Sequence, residues 1–313
     1  MRIVSLIAAA TEIVAALGRG DELVAVSHEC DFPPEAVAGR VILTSPKMDI
    51  SRSSLNIHKD VQAIVEKGLA VYNVDAKKLR DVKPDLIITQ DQCEVCAVTY
   101  EDVVRATAQC TGCDAKIVTL HPDSLDDIFS DILKVGAALN EKEKAKSLVE
   151  KIKKKMEENS SKGNRPRVIF LEWLNPLMIA GNWIPQMIAM AGGEAGLIRD
   201  GEHTKVVTWE AIQEYDPDLI VISPCGFKIS QTIENRFDLE KLPGWRDLRA
   251  VREGKVFVVD GNTYLNRPGP RILESFYILA GLFHPNLFKS LIPEGSFIAW
   301  GGGSSTKIDL AGT

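Results

Sequence analysis

Gln90-Asp91-Gln92-Cys93-Glu94-Val95-Cys96 is the densest polar segment of the chain and holds two thiols at Cys-x-x-Cys spacing. Thiolates so spaced can share one soft metal ion or close a reversible disulfide, and a helix starting just after Cys96 would favour the thiolate form. His28 and Cys30, within His28-Glu29-Cys30-Asp31, complete a candidate metal set of His28, Cys30, Cys93 and Cys96 if the loops converge. A lone Cys-x-x-Cys is a weak signal, and inert buried thiols are the competing reading. A second spacing, Cys110-Thr111-Gly112-Cys113, reads as structural.

Other segments offer groups for binding a small molecule. Glu172-Trp173 closes an apolar run, and Gly181-Asn182-Trp183-Ile184-Pro185 opens a helix with proline in its first turn. Their rings suit a flat ligand, although tryptophan is also a common core residue. Tyr264 adds a ring, and Arg267 can grip a carboxylate or phosphate in bidentate fashion, with a solvated arginine as the plain alternative. Glu29 and Gln90 complete the candidate ligand-binding set of Glu29, Gln90, Cys93, Cys96, Glu172, Trp173, Trp183, Tyr264 and Arg267. No catalytic residue is assigned: nucleophile-elbow, phosphate-loop, His-Glu-x-x-His and Gly-x-Gly-x-x-Gly patterns are missing.

The elements that must position these groups come in two matching sets. Pro-Asp-Leu-Ile occurs at 84–87 and 217–220, each copy opening an apolar run that reaches a cysteine-bearing loop. Arg2-Ile3-Val4-Ser5-Leu6 matches Arg167-Val168-Ile169-Phe170-Leu171, and Lys116-Ile117-Val118-Thr119-Leu120 matches Lys255-Val256-Phe257-Val258-Val259. Three matches in the same order predict one α/β unit used twice, its strands apolar on both faces because helices cover a parallel sheet. Ligands of such sheets bind beyond the carboxyl ends of the strands, where the candidate residues fall.

Residues 124–159 contain no proline, and Leu125, Ile128, Ile132, Val135, Leu139, Leu148, Ile152 and Met156 recur at helical spacing. One long helix or two in succession is expected there, with Ser124 and Asp127 as a capping pair. The expected organisation is an amino-terminal lobe over 1–123, a bridging helix over 124–163, a carboxyl-terminal lobe over 164–285 and a loose tail over 286–313.

The 313 residues carry 45% hydrophobic and 26% charged residues and a net charge of -6, which weighs against nucleic acid as a partner. No run approaches the roughly 20 apolar residues of a membrane helix. The opening residues pass straight into a strand-like run, from which a cytoplasmic location is expected, and six cysteines in a large chain of that compartment read as thiols or ligands.

These segments together resemble the class III substrate-binding proteins of ABC importers, which capture cobalamin, haem and iron-siderophores. The resemblance covers about residues 1–285, through Ile3-Val4-Ser5-Leu6 with Thr11-Glu12, Asp31-Phe32-Pro33-Pro34, Lys83-Pro84-Asp85-Leu86-Ile87, Gly192-Gly193 and Pro270-Arg271-Ile272. It implies an α/β fold of two Rossmann-like lobes with parallel sheets, joined by a long helix, with a ligand cleft between the lobes. The cobalamin-binding branch matches best in segment order. Where that branch places corrin-facing aromatics, this chain has Glu29 and, near the second position, Pro46 and Lys47; Tyr264 keeps a ring. Family members present an acidic residue to the permease from each lobe; here Glu210 fits and Lys77 does not, which counts against an ABC permease partner.

The sequence therefore reads as a ligand-binding protein for a small polar or metal-containing molecule, with cobalamin or a bound metal such as zinc as cofactor candidates. A redox or metal-dependent enzyme built on Cys93 and Cys96 is the alternative.

Overall fold

The computed structural model describes residues 1–66, 71–91, 115–161 and 163–300. They form two compact units. The first comprises Met1–Arg52, Asn56–Lys151 and Pro268–Pro270; the second comprises Ser53–Leu55, Ile152–Arg267 and the residues from Arg271 onward.

The sheet of the first unit contains β1 (Ile3–Ser5), β2 (Leu23–Val26), β3 (Val41–Ile42), β6 (Leu86–Gln90) and β7 (Lys116–Leu120) in the order β3-β2-β1-β6-β7, all parallel. A separate antiparallel pair is formed by β4 (Thr44–Pro46) and β5 (Tyr72–Val74). Every residue of β6 is buried, as a strand covered on both faces requires. Val4, Leu6, Ala25, Leu43, Leu79, Val82 and Ile87 form one core cluster. The strand order reverses between β1 and β6, so the loops leaving these two strands flank the switch point of the sheet.

The second unit repeats this centre. β8 (Arg167–Trp173), β12 (Leu219–Ile222) and β13 (Val256–Val259) lie side by side and parallel, with Val168 opposite Leu219 just as Ile3 lies opposite Leu86. Its sheet is mixed, a departure from the all-parallel expectation. β10 (Glu194–Ala195) pairs parallel with the start of β8, while β9 (Met178–Ile179) folds back antiparallel on its end and carries β11 (Lys205–Val206). On the far edge, β14 (Phe297–Ala299) runs antiparallel to β13.

Residues 285–299 are thus no loose tail. Three apolar residues supply β13 with its outer partner, and Trp300 follows by packing tilted against Trp245, ring centroids 5.7 Å apart. The stretch expected to bridge the lobes divides into the helices Leu125–Ala138 and Lys142–Glu158, with the unit boundary falling inside the second. Ser124 caps the first by accepting the Asp127 amide. It ends in a Schellman turn: Asn140 takes φ 60°, its amide reaches the Ala137 carbonyl, and the Glu141 amide reaches the Gly136 carbonyl at 2.7 Å.

Pro-Asp-Leu-Ile itself has a structural explanation that holds in both copies. A helix of seven residues, Ala76–Val82 or Trp209–Tyr215, starts on a side-chain cap from Asp75 or Thr208. It stops where Lys83 or Asp216 turns left-handed, at φ 43° and 42°, and the following proline forbids continuation. The aspartate then latches two strands: Asp85 accepts the Arg2 amide at 2.6 Å, and Asp218 accepts the Arg167 amide at 2.8 Å.

Candidate functional site

In the first unit, the loop leaving β1 enters the helix Ala8–Ala16, where Thr11 is fully buried and its hydroxyl lies 2.8 Å from Ser5 Oγ and 3.0 Å from Cys30 Sγ. Its small residues therefore serve close packing at that helix start. His28 is fastened to the β4 segment: Nδ1 is 2.6 Å from Thr44 Oγ1, which also accepts the His28 amide, and the imidazole lies 5.2 Å from the Tyr72 ring. His28 Nε2 is 3.0 Å from Glu29 Oε1, yet without the alignment of a hydrogen bond. Glu29 is partly exposed and Cys30 is buried. Cys93 and Cys96 lie outside the described residues, and among the described residues no three His, Cys, Asp or Glu side chains are grouped to hold a metal.

Gln90 ends β6 in a buried position opposite Leu120. Beside it stands a cluster that sequence spacing did not reveal. His121 Nδ1 is 2.6 Å from Asp91 Oδ1, its Nε2 is 3.0 Å from Asp123 Oδ2, and its amide donates to Asp131 Oδ2 at 2.9 Å. These groups are 30, 2 and 10 residues from His121 in the chain: the pairing of β6 with β7 brings in Asp91, Asp123 is a chain neighbour, and Asp131 comes from the helix Leu125–Ala138 that follows.

Asp131 is buried, and burial raises its carboxyl from 3.8 to about 6, against the pull of the His121 amide. A raised pKa means that the folded state holds the proton more tightly. The stabilisation is complete below about pH 4 and is lost as the pH rises through 6. His121, raised chiefly by its hydrogen bond to Asp91, adds a loss of the same sign at higher pH. Thermal unfolding of Asp131→Asn should show a flatter decline in Tm from pH 4 to 7 than the parent; an unchanged slope would rule Asp131 out as its source.

In the second unit, β8 reverses the strand order next to β12, so its carboxyl end is the switch point. Trp173 lies there half-buried, its indole N–H donating to the Ser54 carbonyl at 3.3 Å and its ring 5.1 Å from Phe227. Ser54 is in turn held by Asn235 and Asp238. Glu172 is partly accessible, with Oε2 accepting from the Thr204 hydroxyl; surrounding protein raises its pKa while that hydrogen bond lowers it. Thr204 Oγ1 also accepts the Gly181 amide at 3.1 Å. Gly181 must lack a side chain, because a Cβ there would come within 2.3 Å of the Glu202 carbonyl oxygen.

The loops after β12 and β13 are fused. Gly261 and Asn262 donate amides to the Phe227 carbonyl, and Asn266 Nδ2 donates to the carbonyls of Ser223 and Gly261. Tyr264 is half-buried beside this junction, with the Arg271 guanidinium 5.7 Å from its ring centroid, and burial raises its phenol pKa. Arg267 is 5% exposed, so it is no solvated side chain. Trp183 is 7% exposed and gives its indole N–H to the Leu265 carbonyl at 3.0 Å, the setting of a core residue. The Cys225 amide bonds to the Glu172 carbonyl oxygen at 3.3 Å.

Two α/β units with strand-order switches, each with polar and aromatic groups in the loops leaving its strands, make up the chain. A family model described as "Periplasmic binding protein" matches residues 3–263, and the chain belongs to that family. It is 24% identical over 305 residues to an uncharacterised ABC transporter substrate-binding lipoprotein, YvrC, of Bacillus subtilis, covering 92% of this chain and 81% of that protein. It is 24% identical over 281 residues to the vitamin B12-binding protein of Vibrio cholerae, covering 88% and 86%. A crystal structure of a possible iron-binding periplasmic solute-binding protein from Staphylococcus epidermidis superposes with a TM-score of 0.68 at 23% identity, covering 90% and 97%.

These findings correct the expected cytoplasmic location. The family is one of periplasmic proteins and the first of these relatives is a lipoprotein, a class of protein that works outside the cytoplasm. The argument against an ABC permease loses force as well, since that relative is the substrate-binding part of an ABC transporter.

Proposed function

We propose that this chain is the capture component of an ABC importer and that its ligand is a corrinoid, held by the loops at the carboxyl ends of the strands. The observation that carries this is the family match over residues 3–263, joined to a half-buried tryptophan at a sheet switch point. The B12-binding relative favours a corrin over other metal chelates. Trp173 and Tyr264 would provide ring surfaces, Glu29, Gln90 and Glu172 polar contacts, and the buried Trp183 and Arg267 the frame behind them. The lipoprotein relative supports a permease as partner. The thiol-based enzyme rests on Cys93 and Cys96, outside the described residues, and no observation favours it.

Tryptophan fluorescence tests this reading. Of the five tryptophans, Trp183, Trp209 and Trp245 are buried and Trp300 packs against Trp245, so Trp173 is the one placed to touch a ligand. Dicyanocobinamide at micromolar concentration should quench the parent protein saturably, and Trp173→Phe should shift the saturation to at least several-fold higher ligand concentration. No saturable change in either fluorescence or corrin absorbance would remove the proposal.

A further inference from the structure

Glu172 is a carboxylate that the fold holds firmly and leaves half satisfied. Among the described residues its carboxylate has one hydrogen-bond partner, the Thr204 hydroxyl on Oε2, and no cation pairs with it. Thr204 is oriented from behind by the Gly181 amide, and Gly181 is pressed against the backbone of residues 202–204 with no room for a Cβ. The carboxylate therefore stands on a rigid support at the carboxyl end of β8, with Oε1 left as an acceptor. Glu172 is only partly buried and Oε1 is not among the buried atoms without a partner, so this acceptor is open to water and to a ligand, with no counter-charge beside it.

An acceptor fixed in this way discriminates by charge and by hydrogen. An amide N–H from a ligand would satisfy Oε1, whereas a ligand carboxylate would place two negative charges together where the ligand itself displaces water. We infer that Glu172 makes this site select a ligand whose periphery carries amide N–H donors over one whose periphery carries carboxylates. This rests on the corrinoid reading above and narrows it to the amidated form.

The test compares two corrinoids with the same ring, cobalt and axial cyanides: dicyanocobinamide, with amide side chains, and dicyanocobyrinic acid, with free carboxylates. At pH 7 the parent protein should bind the amide form at least about tenfold more tightly, the size expected of one hydrogen bond to a charged group. Glu172→Gln keeps the shape and removes the charge, and should shrink the preference to within about twofold. Thr204→Val, which frees Oε2 without altering Glu172, should also reduce it.

Equal binding of both corrinoids by the parent, or an unchanged preference in Glu172→Gln, overturns the inference and leaves the corrinoid reading standing. A preference for the acid form overturns it too. If neither corrinoid binds, the functional reading fails and the inference falls with it. Circular dichroism and Tm of both variants establish that the fold is intact; should Glu172→Gln not fold, Thr204→Val decides.

Discussion

Gly261→Ala is expected to destabilise the second unit by roughly 2–3 kcal/mol, at the upper end of what overpacking costs. An added Cβ would sit 2.0 Å from the Pro224 carbonyl oxygen and 2.9 Å from its carbon, so backbone must move. Little slack exists. The Gly261 amide is bonded to the Phe227 carbonyl at 2.9 Å, and Asn266 ties the Ser223 and Gly261 carbonyls together at 3.0 and 3.1 Å. Phe227 packs against Trp173, so the displacement should reach the proposed ligand ring and weaken corrinoid quenching along with stability.

Gly226→Ala separates crowding from backbone conformation. Gly226 has φ 78° but nothing within 4 Å of a Cβ, so its substitution should cost only the left-handed strain of about 1 kcal/mol. Urea midpoints at equal m-values provide the measurement. If both variants lose the same stability, the close approach of the β12 and β13 loops is not what Gly261 serves.

The doubled α/β centre was legible because every residue of β6, β12 and β13 is buried on both faces, which forces continuous apolar runs. Their sequence matches, Arg2 with Arg167, Asp85 with Asp218 and Lys116 with Lys255, mark equivalent places in the two sheets. The edges were not legible. β9, β10 and β11 are two residues long, too short to show a period, and β14 looked like a tail because its pairing with β13 is a long-range contact.

The candidate residues divide along the same line. Glu172 and Trp173 stand out in the sequence because they end a strand, but Thr204, which fixes Glu172, is 32 residues away in a polar loop with no spacing signal. For Trp183 and Arg267 residue type alone suggests chemistry; their burial and the Trp183 hydrogen bond to Leu265 are facts of packing that no local pattern encodes. His121 and its three aspartates were missed for the opposite reason. Asp91 joins only because β6 and β7 are neighbours, and Asp131 only because the next helix packs back toward His121.

Asp218→Ala should cost about 2 kcal/mol and Asp85→Ala about 1 kcal/mol, the range for leaving a backbone donor without its acceptor. Both aspartates latch the first strand of their sheet to its neighbour, yet their surroundings differ. Asp85 receives the Arg2 amide in an exposed setting where water can replace it. Asp218 receives the Arg167 amide in a part-buried one and also pairs with Arg249, which Asp216 holds from its other side. Arg167 in turn lies over the Tyr215 ring at 4.1 Å, so losing Asp218 loosens a packed corner as well as one hydrogen bond. Asparagine keeps an acceptor oxygen, and Asp218→Asn should recover more than half of the loss by keeping the Arg167 amide bonded. Chemical denaturation read by tryptophan fluorescence gives the ranking. Equal losses at the two positions would mean that the repeated aspartate acts through helix termination alone, and the latch between strands would have to be abandoned as the reason this tetrapeptide occurs twice.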